Sequence, residues 1–187
     1  MLAIINAGHS PNGYPDPGAV NYSLGIRECD IALAISNKVK YYLTQAGVTA
    51  KVIQDDDLDN ICNFSNDNKA DIFVSIHCNS AENKSANGFE VYTSRGQTKA
   101  DNLATFIYKQ IENTFPDMYG RSDTSDGDVD KEAGFYVLVN TNAPACLIET
   151  AFISNDAEAQ LLSTSSFQDK YARAIARGIT DFEGDEQ

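Results

Sequence analysis

A chain of 187 residues, 42% hydrophobic and 10% aromatic, is long enough for one α/β domain and too apolar to stay unfolded. Its 14 basic and 27 acidic side chains give a formal net charge of -13. That charge argues against nucleic acid as a partner and against docking on anionic lipid, both of which need basic surface. No run approaches the length of a membrane span, so no membrane insertion is expected. The start, Met1 to His9, has no basic region or small-residue cleavage site, so it does not read as a signal peptide.

Residues 2–6 read as a central strand. Residues 8–27, rich in Gly, Pro, Asn and Tyr, read as a long loop, and loops of that length in compact domains are usually functional. From Glu28 the period changes. Ile31, Ile35, Val39 and Leu43 recur at helical spacing until Gly47 stops the helix. Residues 48–54 alternate like a strand and 58–69 suit a short polar helix. Strands follow at 71–77 and 88–93, then a helix at 99–114 with Leu103, Phe106, Ile107 and Ile111 on one face. The acidic, Gly-containing stretch 116–132 reads as a loop, and 145–150 as the last strand. Ser154-Asn155 caps a helix over 156–162, and a final helix runs over 166–182 with Tyr171, Ile175, Ile179 and Phe182 inward. Strands alternating with helices predict a single α/β domain. It would hold a mostly parallel twisted sheet of about five or six strands with helices on both faces. The domain would span 1–182, with 183–187 an acidic tail or the start of a linker.

Only two histidines occur, and each closes an apolar strand. His9 follows residues 2–8 and His77 follows residues 71–76. Strand ends at one rim of an α/β sheet are where such folds keep their sites. Two imidazoles there supply half of a zinc site, which needs a third protein ligand when catalytic. Glu28 is the candidate, since the loop from His9 leads straight to it. A carboxylate in a first helical turn also serves as a plain cap. Glu149 ends the apolar run 145–148. It is either a solvent-facing strand end or a buried carboxylate with a function, such as a general base. The four cysteines, Cys29, Cys62, Cys78 and Cys146, match neither a zinc ribbon nor a disulfide scaffold and are expected reduced and buried. Cys29 and Cys78 flank candidate ligands, but strand neighbours point to opposite faces, which argues against thiolate ligation.

These residues lie in five motifs that, taken in order, resemble the zinc-dependent N-acetylmuramoyl-L-alanine amidases of the Amidase_3 type. The motifs are Gly8-His9 with Asp16-Pro17-Gly18-Ala19, Glu28 to Ile35, Ala70 to Asn79, Gly88 to Tyr92, and Glu149 to Asn155. The resemblance runs from about residue 2 to 182. It implies one Zn2+ per chain held by His9, Glu28 and His77, with Glu149 as catalytic acid/base. The substrate implied is peptidoglycan, cut between N-acetylmuramic acid and the first L-alanine of the stem peptide. Some members carry an inserted helix that plugs the cleft. The short loop 116–132 predicts none here, hence an open cleft. Asn79, Tyr14, Tyr22 and Tyr136 are candidates for substrate contact, although such aromatics often only pack. The sequence departs from the family pattern at Asn6, Ser10 and Ala151 and lacks an arginine in 58–69.

Two other readings remain at this point. One is a zinc carboxypeptidase acting within the stem peptide, and the other is a wall-binding module without activity. A chain this acidic should not adhere to a polyanionic wall by charge, which suggests a separate wall-binding domain. The expected setting is a monomer made in the cytoplasm and released to the wall like a phage endolysin, or the catalytic domain of a secreted protein.

Overall fold

A computed structural model describes residues 1–185. Its centre is a six-stranded sheet in the order β4-β1-β5-β8-β6-β7. The strands are β1 (Leu2–Ala7), β4 (Thr49–Gln54), β5 (Ile72–Asn79), β6 (Glu90–Thr93), β7 (Lys131–Glu132) and β8 (Ala145–Phe152). All neighbouring pairs are parallel except β6 with β8. A separate two-stranded ribbon, β2 (Val20–Asn21) and β3 (Ile26–Arg27), lies within the long loop. That loop also contains a 3-10 turn at Pro11–Gly13, so it is more ordered than its composition suggests.

Both faces of the sheet are covered, which is why β1, β5 and β8 are apolar almost throughout. On one face, alternate residues Ile5, Val74, Ile76, Cys146 and Ile148 pack with α1 (Glu28–Gln45), α3 (Lys99–Thr114) and α6 (Ser165–Asp185). On the other, Ile4, Phe73 and Leu147 pack with the smaller helices α2 (Leu58–Asp67) and α4 (Tyr136–Asn140). α5 (Asp156–Leu162) follows β8, and the Asn155 side chain accepts from the amides of Ala157 and Glu158, as its position predicts.

The predicted helical stripes hold. Ile31, Ile35, Val39 and Leu43 are buried, as are Tyr171, Ile175, Ile179 and Phe182. Phe106 is only partly buried against the same core. Four details differ from the sequence reading. α2 stops at Asp67 rather than 69. α4 went unseen because five residues are too few to show a period. The stretch 116–132 ends in β7, which reaches the sheet through only two residue pairs, but it contains no helix. The tail expected from 183 is helical through Asp185, and Glu183 Oε1 lies 3.4 Å from the amino terminus, which holds the last turn down. The rest of that tail, 186–187, lies outside the described residues. No helix among the described residues is long and apolar enough to cross a membrane.

Candidate active site

β1 sends its chain to β4 on one side, and β5 and β8 lie on the other. The carboxyl ends of β1, β5 and β8 therefore border the crevice where such sheets bind ligands. His9 stands two residues beyond β1 with φ of 65°, a left-handed conformation that a non-glycine residue adopts at some cost. His77 and Glu149 are register partners on β5 and β8, so their side chains share a face. Glu28 opens α1. Its Oε1 lies 3.0 Å from both His9 Nε2 and His77 Nδ1 and also accepts from Cys78 N at 2.9 Å. Glu28 Oε2 accepts from Ala19 N at 2.8 Å.

Glu28 therefore does not cap its own helix. The amides of Glu28 and Cys29 donate instead to the carbonyls of Ala19 and Pro17, at 2.9 and 3.2 Å. The long loop has folded back over the start of α1, freeing the carboxylate to face the imidazoles. One ligand atom from each of His9, Glu28 and His77 lies within 4.8 Å of the other two. Two imidazole nitrogens and a carboxylate oxygen are a donor set that suits zinc. Glycines keep the cradle tight. A Cβ on Gly8 would stand 2.4 Å from His77 Cε1, and one on Gly18 would stand 2.5 Å from His9 Cδ2.

Asp16 adds support that the sequence reading quoted in a motif without giving it a role. Its Oδ2 lies 2.7 Å from His9 Nδ1, while its Oδ1 accepts from Gly18 N and its own amide donates to Ser10 Oγ. A carboxylate on the outer nitrogen fixes the ring and leaves the inner nitrogen free to ligate. Ser10, a departure from the family pattern, is thus a working part of this loop. Asn6 is buried and accepts from Ser75 Oγ at 2.6 Å, and Ala151 is buried in the core.

The electrostatics separate the two glutamates. Burial works to raise Glu28, but the hydrogen bonds from His77 and His9 prevail and hold it well below the usual carboxylate range. Burial works to lower His9, but Glu28 and Asp16 lift it to about 9. Glu149 goes the other way. Burial pushes it up to about 7, against the attraction of His77 and with the repulsion of Glu28 and Glu90. Its Oε2 is buried and accepts no hydrogen bond. This is not a strand end facing solvent.

These groups line a cleft of about 400 Å³ together with Asp16, Leu58, Phe135 and Tyr136. Asn79 also lines it and donates to Glu90 Oε2 at 3.0 Å. Of the tyrosines expected there, only Tyr136 is present, 43% exposed, with its hydroxyl bonded to Asp59. Tyr14 and Tyr22 do not line the cleft. They are 85% and 90% exposed, because the 3-10 turn and the β2–β3 ribbon turn them outward. All four cysteines are free and buried, and Cys78 packs in the α1–α3–α6 core, away from the imidazoles.

Sequence reading also missed the surroundings of Glu90, which pairs with Glu149 across β6 and β8. Glu90 Oε1 accepts from Arg121 Nε at 2.5 Å and Lys131 Nζ at 2.9 Å, and Tyr92 OH donates to Oε2. The available signal was two cations in an otherwise acidic loop, but which carboxylate they meet depends on the strand pairing.

Fold and site together define an α/β domain with a His-Glu-His cradle of the kind that holds a divalent metal, next to a free carboxyl. The sequence profile of the N-acetylmuramoyl-L-alanine amidases matches residues 3–181, and the chain belongs to that family. It is 37% identical to the endolysin of Bacillus phage SPP1 across 96% of its own length and 65% of the endolysin's. It is 31% identical to the N-acetylmuramoyl-L-alanine amidase LytC of Bacillus subtilis across 95% of its length. The chain spans about a third of LytC and slightly under two thirds of the endolysin. The N-acetylmuramoyl-L-alanine amidase AmiC2 of Nostoc punctiforme superposes with a TM-score of 0.87 at 30% identity, covering 98% of this chain and 97% of that one.

Proposed function

We propose that this chain is a peptidoglycan hydrolase. It cleaves the amide between N-acetylmuramic acid and the L-alanine of the stem peptide, with His9, Glu28 and His77 holding one zinc ion. The observation that carries the reading is the pair of imidazole nitrogens 3.0 Å from one Glu28 oxygen, with the unpartnered Glu149 carboxyl on the next strand. When bound there, zinc supplies a Lewis acid that acidifies water and polarises a carbonyl. Glu149 accepts the proton of the attacking water and returns it to the departing alanine amine. A carboxyl raised to about 7 suits both halves of that exchange. Asp16 keeps the Nδ1 proton of His9 in place. Tyr136 and Asn79 border the space open to sugar and peptide.

The chain acts as a monomer at the cell wall, reached as a phage endolysin reaches it, and a wall-binding segment elsewhere or in trans supplies adhesion. The test is amine release from purified peptidoglycan with mass spectrometry of the products. Wild type should release L-alanine amino termini and leave the glycan intact. Chelation should abolish this until zinc is restored, and Glu149→Ala should abolish it outright. A released C-terminal amino acid in place of alanine amino termini would make the chain a carboxypeptidase.

A further inference from the structure

Three more carboxylates converge away from the cleft. Asp101 lies in the first turn of α3, and Asp128 and Asp130 lie just before β7. One ligand atom from each is within 4.8 Å of the other two. The group sits at the far end of β6 from Glu90. Thr93, which bonds Asp130, alternates with Tyr92 along the strand and faces the side of Val91, towards α3. This is the opposite face of the sheet from Glu149.

Two of the three carboxylates are buried and Asp128 is half-buried, unlike most acidic clusters. Asp130 is 2% exposed and Asp101 7%. Each carboxylate is partly committed. Asp101 Oδ2 accepts from Thr98 N at 2.5 Å and its Oδ1 from Thr98 Oγ1 at 3.4 Å. Asp130 Oδ2 accepts from Thr93 Oγ1 at 2.5 Å, and Asp128 Oδ2 from Gln97 Nε2 at 3.1 Å. The remaining oxygens, Asp128 Oδ1 and Asp130 Oδ1, are buried and accept nothing among the described residues. Buried carboxylate oxygens without a donor are expensive, and three such groups at contact distance repel one another.

We propose that Asp101, Asp128 and Asp130 bind a calcium ion that fastens the loop 121–130 to the start of α3. Donors that are all oxygen select a hard cation, whereas zinc is drawn to the nitrogen-bearing cradle across the sheet. A dication reduces three negative charges to one and gives the two unpartnered oxygens a ligand. Burial, with Asp128 and Asp101 close by, pushes Asp130 up to about 7, which identifies the competing arrangement as a proton shared between Asp128 and Asp130. Lys131 follows Asp130 directly and delivers its Nζ to Glu90, so the ion would steady a loop whose next residue reaches the active site.

The test uses the purified protein with its catalytic metal left in place, at pH 8. Calcium is titrated in by calorimetry, with magnesium as a second arm. Melting temperature and tryptic cleavage after Arg121 are followed in parallel. The same measurements are made on Asp128→Asn/Asp130→Asn, which removes the repulsion and should be at least as stable as wild type in calcium-free buffer. Wild type should show one saturable site. It should gain about 5 °C or more in melting temperature at 100-fold excess over Kd, and be cut more slowly at Arg121. The variant should show none of this. No heat and no shift at about 10 mM calcium, well above the range of weak calcium sites, would overturn the proposal. So would an equal response in the variant, or a response to magnesium alone. No calcium response, together with wild-type stability that falls as pH rises through about 7, would assign the pair a shared proton instead.

Discussion

Replacing Glu149 by Gln should remove activity and stabilise the metal-free protein, and the size of the second effect follows from the site. Glu149 titrates near about 7 in the fold against an ordinary 4.5. Its native-state value is raised, so the folded protein binds the extra proton between those limits. Stability is full below about pH 4.5 and falls as pH rises through about 7. The loss at pH 8 is about 3 kcal/mol. Gln does not ionise and escapes it, although a buried amide lacking partners returns about 1 kcal/mol of cost. Metal-free Glu149→Gln should therefore be more stable than metal-free wild type by about 2 kcal/mol at pH 8, a rise in melting temperature of about 4–8 °C. The advantage should vanish near about pH 5 and become a deficit of about 1 kcal/mol at lower pH, as wild type becomes neutral too and only the amide cost remains. Thermal melts of chelated protein across this range measure it. In the metal-loaded protein, kcat/KM should fall by about 10²–10⁴ with metal content unchanged, as for loss of a general acid/base. A variant that is less stable at pH 8, or a difference that ignores pH, would refute the picture of a buried, unpartnered carboxyl.

Asp16→Ala removes the 2.7 Å contact on His9 Nδ1, and zinc affinity by competition with a chromogenic chelator should drop about 10–100-fold while the melt of the metal-free protein moves little. Gly18→Ala places a methyl 2.5 Å from His9 Cδ2 and 2.7 Å from Glu28 Oε2 at a φ of +68°. It should cost more metal than Asp16→Ala, with metal content of the purified variant as the readout, and near-wild-type zinc occupancy would show that the cradle is looser than described. Fusing a wall-binding domain to this chain, whose net charge is -13, should raise lysis of intact cells without changing cleavage of short muropeptides. Equal lysis with and without the fusion would remove the case for a separate binding segment.

Much of the molecule was legible in the sequence, for local reasons. Apolar runs ending in His9, His77 and Glu149 required buried strands, and the period of Ile31, Ile35, Val39 and Leu43 required a helix starting at Glu28. Spacing and order set these features, since each is dictated by backbone geometry over a few residues. Contacts between residues distant in sequence were not legible. The order β1-β5-β8 makes His77 and Glu149 neighbours, and the antiparallel β6 brings Glu90, and with it Arg121 and Lys131, beside them. The Glu28 carboxylate faces the two imidazoles instead of capping its helix because the loop carbonyls of Pro17 and Ala19 took over the first amides of α1. Tyr14 and Tyr22 were misplaced because side-chain direction in a loop follows from its turns and ribbons, not from its composition. Asp101 lies far along the chain from Asp128 and Asp130, and only the packing of α3 beside β6 brings their charges together. Residue type and period thus determined the elements and their chemistry. The sheet topology determined which of those chemistries meet, because strand pairing and packing act between parts of the chain that local pattern does not link.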